Sequence, residues 1–405
     1  MKILVKYSIL AMIALAGTTL ANGQTKLLPD HPETFTATAK HDAEFLIDLK
    51  EADICNITVE AAPDGPSLFP QLIDPANTVL VKERFLTDGF LFVAETSGRY
   101  HLIFRWGKFE SVEDAAKDNG KQVTVRYSNK FDVPKNAVQK AVRNVNGYQA
   151  RILNQPGDSG NSYLVIQKAG RLRAVMREEM QITGGLYFSD DPKEAASKKA
   201  SALYRTTPDK TGDGTPDVAV EFYSGGAHCC FEVTFIELGQ HVRVLPTVDT
   251  GNDRLTPIAR LPRGGLRFSA AEQAFCYWTI NYAQSPQPGI IWEFNRNDQL
   301  MPRFDQMRKS PPPLAKIKGD AALAKKKINL NPYISPEENF NDFEEPFWEE
   351  MLDLIYTGNE ALAWRYFDLA WPAKKVGKEK FLADFKEQLA LTAYGDYKKM
   401  PKPPE

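Results

Sequence analysis

Apolar and polar residues alternate in short runs through the first third of the chain. Phe45, Ile47 and Leu49 alternate with Leu46 and Asp48, and Ile57 and Val59 flank Thr58. Tyr100, Leu102, Phe104 and Trp106 alternate with His101, Ile103 and Arg105, while Val79–Val81 and Phe90–Val93 are short apolar runs. A period of two sets one row of side chains on a core face and predicts antiparallel strands. The runs are broken by Ala62-Pro63-Asp64-Gly65-Pro66, Asp74-Pro75-Ala76-Asn77 and Thr87-Asp88-Gly89, all built from turn-forming residues. Residues 27–129 therefore read as a β-sandwich.

Residues 112–119 and 134–143 read as short helices bridging to a second β-rich region, 146–308. Its strands include Tyr163–Ile166, Val218–Tyr223, Phe231–Ile236 and Gly289–Phe294. Ser310-Pro311-Pro312-Pro313 closes it, and with the basic stretch Lys316–Lys327 the span 309–335 reads as a Pro/Lys-rich linker. The period then changes to that of a helix. Trp348, Met351, Leu352 and Ile355 share one face, as do Ala363, Tyr366, Phe367 and Ala370, and then Phe381, Leu382, Phe385 and Leu389. Pro346 suits a first helical turn and Gly358 a stop just past the end. The predicted class is a mainly β multidomain chain: N-terminal β-sandwich, central β-rich domain, and a C-terminal three-helix module over 336–396.

Within the first region, Leu72-Ile73-Asp74-Pro75-Ala76-Asn77-Thr78-Val79-Leu80 followed by Ser97-Gly98-Arg99-Tyr100-His101-Leu102 resembles the bacterial pre-peptidase C-terminal (PPC) domain. That family is a small β-sandwich appended to secreted enzymes and surface proteins. The resemblance implies an accessory module and brings no catalytic residue.

Charge and composition narrow the function. The chain opens with basic residues (Lys2, Lys6), an apolar run from Tyr7 to Ala16, and the small-residue site Thr18-Thr19-Leu20-Ala21. That order reads as a signal peptide over 1–21, so the protein is expected to be exported, periplasmic or secreted. Its removal takes away two lysines and no acid, moving the net charge from −2 to about −4. Near-neutral charge gives no electrostatic case for nucleic acid. No later apolar run approaches the length of a membrane span, so no transmembrane segment is expected in the mature chain. An apolar fraction of 43% places the chain with globular rather than disordered sequences.

The sharpest motif is Asp209-Lys210-Thr211-Gly212-Asp213-Gly214-Thr215-Pro216-Asp217. Oxygen-bearing side chains fall at positions 1, 3, 5 and 9, with Gly at position 6 and a backbone carbonyl at position 7. Calcium takes six to eight hard oxygen ligands on a tightly curled loop, and three acids within nine residues repel one another without a cation. Position 12 is Val220 rather than Glu, and a strand follows instead of a helix, so this is not an EF-hand. Loop followed by strand resembles the calcium loops of FG-GAP and VCBS repeat proteins. That resemblance implies Asp209, Asp213 and Asp217 as side-chain ligands of Ca2+ and Thr215 as a carbonyl ligand. Thr211 departs from the usual Asx and offers a neutral hydroxyl or no ligand. The alternative is a metal-free turn. The next segment, Tyr223-Ser224-Gly225-Gly226-Ala227-His228-Cys229-Cys230-Phe231, resembles a stretch found in secreted bacterial proteins, and no activity comes with it.

An exported chain meets an oxidising compartment, so the four cysteines are candidates for pairing. Three full connectivities are open. Neighbours on a strand face opposite sides, which favours one bond between Cys276 and either Cys229 or Cys230. A vicinal Cys229–Cys230 bond is the strained alternative, and Cys55 reads as a buried free thiol. His228, Cys229, Cys230 and Cys276 offer zinc-type ligands without zinc spacing.

Three further features resemble catalytic or binding motifs. Gly157-Asp158-Ser159-Gly160 and Ala227-His228-Cys229 resemble trypsin-like protease motifs, but the serine precedes the histidine, the reverse of that family's order. Asp249-Thr250-Gly251 resembles half of an aspartic-protease pair, with no second copy. Phe275, Tyr277, Trp278 and Tyr282 read either as core or as a sugar-binding face. No coherent catalytic set emerges. The expected function is a non-enzymatic, calcium-stabilised exported module that binds a protein or glycan. The alternatives are an envelope-polymer hydrolase and a structural envelope protein.

Overall fold

A computed structural model describes residues 25–36, 42–61, 68–82, 90–106, 122–131, 133–156, 161–179, 184–193, 196–223 and 231–399. Residues 1–21, expected to be a signal peptide, the stretch 112–119, expected to be a helical bridge, and Asp158, Ser159, His228, Cys229 and Cys230 lie outside these residues. The described chain is mainly β, with three sheets followed by a helical region.

Two sheets face each other across one core. The first runs Thr25–Lys26, Ala43–Leu49, Gly98–Trp106, Leu68–Ile73, Val79–Lys82, Val242–Val244, Phe231–Leu238, Asp217–Tyr223 and Gly185–Phe188, with Val248–Gly251 also paired to Phe231–Leu238. The second runs Val138–Val145, Tyr148–Asn154, Asn161–Lys168, Arg171–Glu179, Phe90–Val93, Ile54–Ala61, Gln122–Ser128 and Glu33–Thr36. The alternation at the N-terminus does what it predicts: Phe45, Ile47, Leu49, Tyr100, Leu102 and Phe104 all enter this core, where Leu164, Ile166 and Ile236 meet them.

Both sheets cross the boundary drawn between residues 129 and 146. Val81 pairs with Val244, and Leu91 and Phe92 pair with Val175 and Ala174. Residues 27–129 therefore supply part of a larger sandwich. The stretch 134–143, expected to be helical, instead enters the edge strand Val138–Val145.

A third sheet, Thr256–Arg260, Leu266–Ala271, Gly289–Phe294 and Leu300–Pro302, covers the outer face of the first. The strands Asp217–Tyr223 and Phe231–Leu238 consequently bury both faces. Val218, Val220 and Ile236 point into the sandwich, while Ala219, Val233 and Phe235 pack with Phe268 and Phe294. That double burial accounts for their nearly continuous apolar sequence, in place of alternation. A short helix α1 (Lys198–Thr206) is capped by Ser197, whose hydroxyl accepts from the Ala200 N–H at 3.1 Å.

The C-terminal region contains helices α2 (Leu314–Lys327), α3 (Trp348–Tyr356), α4 (Glu360–Ala370), α5 (Lys378–Ala390) and α6 (Ala393–Lys399). The predicted faces are the buried ones: Trp348, Met351, Leu352 and Ile355 are fully enclosed, as are Ala363, Phe367, Phe381 and Phe385. Gly358 takes φ +82° and ends α3, as its position suggested. The span expected to be a linker contains α2. Its apolar pair, Ile317 and Ala321, lies one turn apart and joins the helical core, while its lysines face outward. Phe275, Trp278 and Ile280 from the central region sit in the same core, with Trp278 edge-on to Trp348 at 5.2 Å. None of the described helices is long and apolar enough to cross a membrane.

Candidate metal centre

The 209–217 loop is folded by its own acids. Asp209 accepts the Gly212 N–H at 2.6 Å on one oxygen and the Gly214 N–H at 2.9 Å on the other. Asp213 accepts the Thr215 N–H at 2.7 Å. The Thr211 hydroxyl lies between Asp209 and Asp213, 3.3 and 3.4 Å from their oxygens. Gly212 has φ +87°, and a Cβ there would stand 2.9 Å from the Gly264 carbonyl oxygen. The loop is thus pressed against the turn at 261–265, and the Leu266 N–H donates to the Lys210 carbonyl at 2.8 Å.

Asp217 takes a different part from the one expected of it. Its side chain is fully buried, and one oxygen accepts the backbone N–H groups of Lys210 and Thr211. The buried Lys210 ammonium lies 3.4 Å from the other oxygen and donates to the Asp217 carbonyl at 2.6 Å. A lysine inside the loop therefore supplies the positive charge that the motif reserves for an ion at this acid. Burial pushes the Asp217 carboxyl up to about 6, against the pull of Lys210 and the two N–H groups.

Asp217, Glu237 and Arg243 stand opposite one another on three adjacent strands and form a polar rung beside the core of the third sheet. Arg243 donates to Glu237 and, at 2.7 Å, to Asp298 at the tip of the 295–299 turn. Asp213 reaches over from the loop. Among the described residues, Asp213, Glu237 and Asp298 form a group whose carboxylate oxygens lie within 4.8 Å of one another, close enough to share a cation. Glu237 is 1% exposed, and its Oε1 has no hydrogen-bond partner. Burial pushes its carboxyl up to about 8. Arg243 pulls it down, while Asp213 and Asp298 push it further up.

The sequence motif thus brings Asp209, Thr211 and Asp213 together, places Thr215 beside Asp213, and diverts Asp217 to Lys210. It does not reveal Glu237 and Asp298. Glu237 did leave a trace. In Phe231–Leu238 it occupies the same face as Val233 and Phe235, where a lone acid needs a partner. Asp298 is separated from the motif by a whole sheet, and only the fold delivers it.

The expected disulfide at Cys276 is not formed: Cys276 is a free thiol, as is the buried Cys55. The reason is local. Cys276 lies in the turns after Leu266–Ala271 rather than on a strand, and its thiol donates to Gln273 at 3.2 Å. Asp249 accepts the Gly251 N–H at 2.8 Å within a strand end, a turn-stabilising role. The aromatic set divides. Phe275 and Trp278 are core, whereas Tyr277 is 52% exposed and packs on Tyr282 at 5.5 Å.

No family model matches the chain, and no curated protein matches it. Solved structures give low likenesses. The pre-peptidase C-terminal domain of a Bacillus anthracis collagenase is 11% identical, with TM-score 0.21, over 26% of this chain and 92% of that domain. PliG, a periplasmic inhibitor of g-type lysozyme from Salmonella Typhimurium, is 10% identical, with TM-score 0.19, over 26% of this chain and 97% of its own. An apocarotenoid oxygenase from Synechocystis is 10% identical, with TM-score 0.19, over 64% of this chain and 68% of its own. These scores are too low to relate the chains, and the β-rich, sandwich-like fold is established by the sheets themselves.

Proposed function

We propose that this chain is an exported, non-enzymatic binding protein in which Ca2+ ties the 209–217 loop to the sheet. The ion sits between Asp213, Glu237 and Asp298, with Asp209 and Thr211 shaping the loop. One observation carries the reading: Glu237 is buried beside two further carboxylates, with an oxygen that nothing in the chain satisfies. Arg243 meets only the other oxygen of Glu237; a buried carboxylate oxygen left without a hydrogen bond beside two like charges is costly, and a divalent cation removes the cost. All the donors are hard oxygens, which suits calcium and disfavours metals that prefer sulfur or imidazole. The ion's place supports a structural use, because it links a loop, a strand and a turn. The basic, apolar, small-residue order of residues 1–21 supports export.

The test is thermal melting of the protein from Asn22 onward, first in EDTA and then in millimolar calcium, for the wild type and Glu237→Gln. The wild type should melt higher in calcium; at a hundredfold excess over Kd, linkage gives about 2.7 kcal/mol. Glu237→Gln keeps the side chain's shape and an oxygen to accept from Arg243, so it should still fold in EDTA, and it should lose the calcium response. A wild type indifferent to calcium, or a Glu237→Gln variant that still responds, would overturn the reading.

A further inference from the structure

A second region carries binding chemistry unconnected with the ion. Two clefts adjoin where the central region meets the helices, one of about 620 Å³ and one of about 410 Å³, and both are lined by Cys276 and Gln388. Between them runs the turn Phe275–Thr279. Its Phe275 and Trp278 are anchored in the helical core, and its Tyr277 and Thr279 take φ of +61° and +59°. A bulky and a β-branched residue rarely adopt this left-handed backbone, and such strain clusters at ligand-binding and switch regions; Thr279 is itself buried. Here the displayed group is Tyr277, exposed over half its surface against Tyr282.

The lining gives the ligand's character. Neither cleft is lined by a lysine or arginine, whereas Asp249, Glu272 and Asp396 line the larger and Glu337 the smaller. An anionic ligand would be repelled. The polar groups beside the rings are amides. Gln273 accepts from the Tyr282 hydroxyl at 3.3 Å and meets Gln287 at 3.4 Å, and Gln388 donates to the Ala274 carbonyl. Trp292 lines the larger cleft as an aromatic wall, its indole N–H turned into the protein interior. Aromatic faces and planar amides suit a ligand that is apolar on its ring faces and rich in hydroxyls at its edges.

We propose that these adjoining clefts bind a neutral glycan chain. One sugar ring stacks on Tyr277 and Tyr282, and the next is held in the larger cleft by Gln273 and Gln388 beside the Trp292 ring. This names the ligand class for the binding role proposed above and rests on that reading.

Affinity electrophoresis in gels containing barley β-glucan, amylose, glycol chitin or xylan tests it, with polygalacturonate and polylysine as charged controls, each run in EDTA and in calcium. Wild type should be retarded by at least one neutral polysaccharide. Tyr277→Gly removes the ring while relaxing the left-handed backbone, so its melting temperature should hold or rise. Its affinity should fall about tenfold, the weight of one aromatic contact. Tyr277→Asn, which also tolerates this backbone, serves as the second variant. Three results overturn the site: no retardation by any neutral polysaccharide, retardation by polylysine alone, or unchanged binding in both variants. A calcium-induced rise in melting without glycan binding would sink the cleft and leave the ion reading standing, and the reverse outcome would do the opposite.

Discussion

At the scale of single residues, the charges in this protein divide into those paired within the chain and those left short of a partner. Asp305 belongs to the first group. Arg303 grips both its oxygens at 2.8 and 2.7 Å, and Gln306 adds a bond at 2.9 Å. The Arg303 guanidinium holds the carboxyl down at about 2, from an ordinary 3.8. A depressed acid stabilises the fold above its unfolded value and loses that contribution as pH falls through its folded value. Asp305→Asn should therefore cost roughly 1 kcal/mol at neutral pH, after allowance for solvent screening of a partly exposed pair. The gap between wild-type and variant urea midpoints should hold down to about pH 4 and close towards pH 2. A gap that stays constant through that window would show that Arg303 does not set it. Glu237 stands between the two groups, since Arg243 meets one of its oxygens and the other has no partner, and there the motif reading reached only halfway. Asp209 and Asp213 are legible because they are neighbours in sequence and fold their own loop. Glu237 and Asp298 become their neighbours only through strand register and a distant turn.

At the scale of elements, the sequence pattern worked where an element buries a broad face or both faces and failed where it buries little. The faces of α3, α4 and α5 were legible down to the buried residue. Val138–Val145 was not. As an edge strand it leaves Val138 and Val142 largely exposed, and apolar residues four apart on a polar strand imitate a helix. In α2 only Ile317 and Ala321 are buried among lysines, too faint a stripe to separate a docked helix from a linker. The 209–217 loop owes its placement to a feature the motif does not announce, the close approach of Gly212 to the 261–265 turn. A Cβ at Gly212 would meet backbone, which cannot swing aside, and its φ of +87° is itself unfavourable for alanine. Gly212→Ala should therefore destabilise the protein by about 2 kcal/mol or more. Gly214→Ala, with no atom within 4 Å of its Cβ, should show the φ penalty alone. Equal losses in the two variants, measured by urea unfolding, would remove the packing argument.

At the scale of the whole molecule, residues 27–129 read from sequence as an accessory module because strand patterns report which residues face a core and not which chain segment completes it. The completed core draws Tyr148, Leu164, Ile166, Val218 and Ile236 against Phe45, Phe92, Leu102 and Phe104. Strand Val79–Lys82 keeps one of its neighbours only through Val242–Val244, and Phe90–Val93 is flanked by Arg171–Glu179. A fragment spanning 22–129 would retain both sheets in outline while opening their shared face to water. Each large apolar side chain so exposed forfeits about 1.5–3 kcal/mol, and a few such losses exceed the stability of an ordinary domain. Such a fragment should show no cooperative thermal transition and should bind the dye ANS, whereas the chain from 22 to 399 should melt with a clear transition. A sharp melt from the short fragment would mean that the N-terminal strands carry a sufficient core of their own. The later strands would then be additions to a finished sandwich, not half of its construction.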